Sequence, residues 1–78
     1  MPSVEREQLK RFLRLREVMH VTGLGKSTIY QKIAAGKFPK PVNLFDGSTA
    51  VAWVDTEIAD YQSSRIEARN ASNPAPSA

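Results

Sequence analysis

The chain has 78 residues, a formal net charge of +3 and an isoelectric point near 9.6. That length holds one domain around one small core and leaves no space for a cleft between lobes, so an enzyme is not expected. There is no cysteine and only one histidine, His20, which excludes disulfides, thiolate metal sites and a zinc centre, and no cofactor is expected.

The charge is uneven. Residues 1–16 sum to +3, residues 17–54 to +2 and residues 55–78 to −2. A basic first half suits a polyanionic partner. No apolar run is long enough to span a bilayer and the N-terminus lacks a signal-peptide core, so the expected location is cytoplasmic.

In chain order, residues 1–12 read as a basic N-terminal segment, 13–69 as the folded domain and 70–78 as a disordered tail. Leu9, Phe12 and Leu13 have the spacing of one helix face, yet Leu13 and Leu15 alternate with Arg14 and Arg16 as in a strand. Both readings stay open. From about Arg16 to Thr22 a first helix is expected, with Leu15, Val18, Met19 and Thr22 on one stripe. Gly23 ends it by taking a left-handed backbone conformation, and Leu24 plugs inward. A second helix begins after Gly25 and runs to about Ala35, anchored by Ile29 and Ile33, and Gly36 stops it. Helix, glycine turn and helix make a helix-turn-helix, whose second helix can lie in the major groove of DNA.

Pro39 and Pro41 forbid a helix next. Val42–Phe45 and Ala50–Val54 read as strands of a hairpin around Asp46-Gly47, a turn signal whose usual form needs positive φ at both residues. Asp55 is the expected N-cap of a last helix, marked by Ile58, Tyr61 and Ile66 and ending near Arg69. Residues 70–78 have no large apolar side chain and two prolines. The expected fold is mainly α with a small β-hairpin, a winged helix-turn-helix DNA-binding domain.

With Ile29 and Ile33 inward, Ser27, Gln31 and Ala34 point outward, flanked by Thr28 and Tyr30. Ser27 and Gln31 suit base edges, Gln being able to pair with adenine through two bonds. Tyr30 suits a phosphate or a sugar ring. Lys26 stands at the helix start, where free N–H groups also favour phosphate. Lys32 lies near the inward edge, its stem over the core. Lys37 and Lys40 are candidate phosphate contacts, and Gly47, Ser48 and Thr49 offer small donors at the hairpin tip, beside the repelling charge of Asp46. Trp53 and Tyr61 are expected in the core.

Gly25-Lys26-Ser27-Thr28 is similar to the end of a phosphate-binding P-loop. The full pattern needs a glycine where His20 stands, and a preceding buried strand. Ser27, His20 and Asp55 make a nominal triad that nothing holds in geometry.

The string from Leu15 to Glu57 resembles the AlpA family of phage and prophage regulators, relatives of the MerR-type and excisionase DNA-binding domains. The resemblance covers residues 13–69 and is carried most specifically by Thr22-Gly23-Leu24, Ser27-Thr28-Ile29-Tyr30, Gly36-Lys37-Phe38-Pro39 and Ala52-Trp53-Val54. It implies a winged helix-turn-helix that binds double-stranded DNA, in the bacterial cytoplasm at the nucleoid, with no cofactor. The implied role is transcriptional regulation or, with the same domain, service as an excisionase that directs recombination. A second copy on DNA and an integrase are the further partners it implies. Gly25 stands where the family usually has a capping serine. Gln31 and Lys32 replace a common arginine and leucine, and the hairpin loop is longer and lacks the usual basic residue. An arginine-in-groove role therefore does not carry over to the loop. A small protein-interaction adaptor is the rival from another class, although the outward face of Ser, Gln, Ala and Thr lacks the aromatic residues that interface centres favour.

Overall fold

The computed structural model of the chain describes residues 9–72. Its elements are β1 (Phe12–Leu13), α1 (Leu15–Thr22), α2 (Lys26–Ala34), β2 (Val42–Asn43), β3 (Val51–Val54) and α3 (Asp55–Ser72). Three helices thus pack with a three-stranded antiparallel sheet of order β1-β3-β2. The hairpin expectation is met by β2 and β3 and then exceeded, because β1 joins the other side of β3. Phe12 pairs with Val54 and Leu13 with Trp53, while Val42 pairs with Ala52 and Asn43 with Val51. This settles the N-terminal ambiguity as a strand of Phe12 and Leu13 alone, because Leu15 and Arg16, which alternated with Leu13 and Arg14 in the strand reading, begin α1 instead. Directly paired residues share a face, so Leu13 joins Trp53 on the core side and Phe12 stays exposed.

Leu13, Val18, Ile29, Phe38, Trp53 and Ile58 form the buried core, with Leu15, Met19, Leu24, Ile33, Val51 and Tyr61 packed against it. Of the two aromatic residues expected inside, Trp53 is in the core and Tyr61 is half-buried against it. Trp53 is fully buried, and its indole N–H donates to the Pro39 carbonyl at 2.9 Å, so the one polar atom of the ring is satisfied. Tyr61 meets Phe38 edge to face, with ring centroids 4.7 Å apart.

Both glycine stops form, with φ of 76° at Gly23 and 73° at Gly36. They differ in bonding. Gly23 N–H reaches only the Met19 carbonyl, whereas after α2 Gly36 N–H bonds Ile33 and Lys37 N–H bonds Lys32, the double closure of a Schellman motif.

Four expectations need correction. The hairpin strands are shorter than Val42–Phe45 and Ala50–Val54. In the turn only Gly47 has positive φ, and Asp46 does not. The last paired bond runs from Leu44 N–H to the Ala50 carbonyl, leaving a five-residue loop that turns at Phe45–Ser48 and does not need the two positive φ values of a two-residue turn. Asp55 is the first helical residue, and its Oδ1 is buried without a hydrogen-bond partner among the described residues, so it does not act as the expected cap. Finally, α3 runs to Ser72, so residues 70–72 of the expected tail are helical. Residues 1–8 of the basic segment and 73–78 of the tail lie outside the described residues.

Candidate nucleic-acid interface

Gly23, Leu24 and Gly25 join α1 to α2, and Thr22 orders that turn. Its hydroxyl donates to the Val18 carbonyl at 2.7 Å and accepts from Leu24 N–H at 3.3 Å. From the sequence Thr22 stood on the apolar stripe of the first helix and in the Thr22-Gly23-Leu24 motif, without this bonding role. The signal was a threonine directly before a helix-stopping glycine, where a short hydroxyl can serve the backbone on both sides.

Ile29 is fully buried and fixes the rotation of α2. Lys26, Ser27, Thr28, Gln31 and Ala34 are all exposed as a result, and Lys32 is half-buried as its stem position required. Tyr30 is 40% exposed because one edge of its ring meets Trp53, at a centroid distance of 6.2 Å and an interplanar angle of 67°. The tyrosine is therefore both a spacer on the core and partly open to the surface.

At the start of α2, Gly25 is the N-cap residue, with extended backbone and no side-chain cap bond. The first helical N–H groups have no intrahelical acceptor, and Ile29 N–H is the one that bonds back to Gly25. The N–H groups of Lys26, Ser27 and Thr28 thus face outward beside a lysine, at the positive end of the helix dipole. No acidic residue stands in that first turn. A helix, not a strand, precedes Gly25, which removes the P-loop context as well as its missing glycine.

Lys37 and Lys40 are exposed on the connection to β2, on either side of buried Phe38. The loop tip is organised differently from α2. Ser48 N–H bonds the Phe45 carbonyl, its carbonyl accepts from Asn43 Nδ2 at 2.9 Å, and its hydroxyl accepts from Ala50 N–H at 2.8 Å. Gly47 and Thr49 are exposed, while Ser48 is half-buried. Elsewhere, exposed Arg11 pairs with Glu17 at 3.4 Å, and Lys10 and Arg14 are exposed.

The candidates therefore fall on three parts of the described chain: the outer face and start of α2, the connection that carries Lys37 and Lys40, and the hairpin loop. No described helix is long and apolar enough to cross a membrane. Residues 11–66 match the family model described as prophage CP4-57 regulatory protein (AlpA), which is more than half of the chain, and the chain belongs to the AlpA family. This is a regulatory family, not a family of enzymes. The chain is also similar to the uncharacterized protein ORF88 of Enterobacteria phage P4, with 44% identity over 69 residues that cover 88% of this chain and 73% of that protein. No solved structure matches it.

Proposed function

From membership of this family of prophage regulators, we propose that the chain is a sequence-specific DNA-binding protein of a phage or mobile element. In this reading the fold is a winged helix-turn-helix and α2 enters the major groove as the recognition helix. One observation supports it most. On α2 the polar side chains of Ser27, Thr28 and Gln31 are exposed and make no hydrogen bond to another described residue, while buried Ile29 holds their orientation. Ser27 and Gln31 read base edges, and Thr28 flanks them. Tyr30 gives its hydroxyl to a phosphate. Lys26 and the free N–H groups beside it hold a phosphate oxygen, so the missing serine cap becomes a vacancy for an anion. Lys37 and Lys40 grip the backbone nearby, with Gly47, Ser48 and Thr49 as a supporting tip. The protein works in the bacterial cytoplasm at the nucleoid, as a transcriptional regulator and with a second copy on neighbouring sites.

Footprinting across the promoter and attachment regions flanking its own gene tests this. Protection is expected at the promoter, with log K falling against log salt at a slope of roughly −4 to −5 if about five phosphates are neutralised. Protection confined to attachment sites, strengthened by an integrase, replaces regulation by the excisionase reading. Binding indifferent to salt, or no protection and capture of one partner protein instead, overturns DNA reading in favour of an adaptor.

A further inference from the structure

Residues 55–78 are acidic in sum, and the sequence places no DNA contact there. The structure separates those charges. Asp55, Glu57 and Asp60 lie in the first two turns of α3, and Glu67 stands about 200° around the helix from Arg65. Arg65 and Arg69 share one face, about 40° apart, on the stripe that begins with buried Ile58 and continues through Gln62. That stripe turns from apolar to basic as the helix leaves the core.

Its position is fixed by a bond to the helix pair. Gln62 Nε2 donates to the Val21 carbonyl at 2.8 Å, seating α3 against the last turn of α1. Arg65 lines the same open groove as Val21, Thr22 and Ile66. Thr22 and Lys26 are four residues apart, so their Cα atoms lie within about 14 Å of one another. Arg65 thus lies beside the end of α1 from which the Gly23–Gly25 turn leads into α2, and Arg69 follows one turn, about 6 Å, further along α3.

Both guanidinium groups lack an acidic partner among the described residues. The residues three and four positions from Arg65 are Tyr61, Gln62, Ala68 and Arg69, and those from Arg69 on the described helix are Arg65, Ile66 and Ser72. Arg69 bonds only the neutral side chain of Asn70, through Nε at 3.1 Å and Nη2 at 2.9 Å. The two arginines instead stand at i, i+4, a spacing at which like charges repel within a helix. A phosphate backbone relieves that repulsion and matches the forked guanidinium donors.

We propose that Arg65 and Arg69 are a second phosphate grip, extending the DNA interface from the start of α2 along the projecting half of α3. The proposal rests on the DNA-binding reading of α2. The test is a salt titration of binding to a labelled mixed-sequence duplex, comparing the wild-type chain with the double variant Arg65→Gln/Arg69→Gln. The double variant should bind several-fold more weakly, with a salt slope shallower by roughly 2, unchanged helical circular dichroism and unchanged base preference. Arg65→Lys/Arg69→Lys should restore the slope. Glu67→Gln, which changes net charge on the opposite face, should leave it alone. An unchanged slope in the folded double variant, or a Glu67→Gln effect of similar size, overturns the grip while leaving α2 as the reader. If the wild-type chain binds the duplex without salt dependence, the reading of α2 fails and the grip fails with it.

Discussion

The outer face of α2 and the tip of the hairpin loop both carry polar groups expected from the sequence to meet DNA, yet they use those groups in opposite ways. In the loop, Ser48 makes three hydrogen bonds within the hairpin, to Phe45, Asn43 and Ala50. On α2 the side chains of Ser27, Thr28 and Gln31 make none to another described residue, although their carbonyls are used within the helix, and the N-cap position carries no side chain at all. A polar group that the fold already uses is held in place but has less to offer a ligand. The contrast separates a surface that keeps its shape from one that keeps its donors free.

The change with the largest expected effect removes what the two regions share. Trp53 lies on the hairpin's second strand, supports the Tyr30 ring of α2 and bonds the Pro39 carbonyl between them. Trp53→Ala should cost about 3–5 kcal/mol, which for a domain with a total stability of about 5–15 kcal/mol brings the urea midpoint down steeply and abolishes DNA binding. Retained binding in that variant would mean that α2 is presented without the junction. Within α2, Gln31→Ala should lose about 1–3 kcal/mol of discrimination at one base pair, while Lys26→Ala should weaken all sequences alike and reduce the salt slope by about 1. Identical behaviour of the two variants in a binding-selection assay would erase the division between reading and grip.

The loop should respond in stability more than in binding. Ser48→Ala deletes the acceptor for Ala50 N–H and should lower stability by about 0.5–1.5 kcal/mol, with base preference intact. A large loss of affinity at unchanged stability would move the tip into the reading surface. The smallest effect is expected at Gly25. Its φ of −81° is open to any residue, and a Cβ there meets nothing within 4 Å. Gly25→Ser should add a few tenths of a kcal/mol by capping the helix, while slightly weakening DNA because the new hydroxyl occupies an N–H that a phosphate would take. Stability and affinity rising together would show that no phosphate sits at that end.

What was legible in the sequence was what local chemistry decides. Gly23 and Gly36 mark helix ends because only glycine takes left-handed φ without strain, and Ile29 with Ile33 fixes which face of α2 is wet. The unread parts depend on distant partners. A two-residue strand at Phe12–Leu13 has no periodicity of its own and exists because Val54 and Trp53 lie beside it. The Asp-Gly pair signals a turn, but the number of residues between paired strands decides which turn, and that number follows from the register. The extra length of α3 to Ser72 has a local cause that composition concealed, since Ala71 is a strong helix former. Among the candidate residues, the exposure of those on α2 followed from periodicity. The role of Ser48 inside the loop emerged only from its neighbours.

Trp53 also makes the molecule its own instrument. It is the chain's single tryptophan, wholly shielded from water, with its indole N–H bonded to a carbonyl. Its emission therefore comes from one site, at the junction of α2 and the hairpin, and should shift to longer wavelength when that junction opens to solvent. Loosening of the platform beneath α2 can thus be followed in the unlabelled protein, separately from changes at the far end of α3.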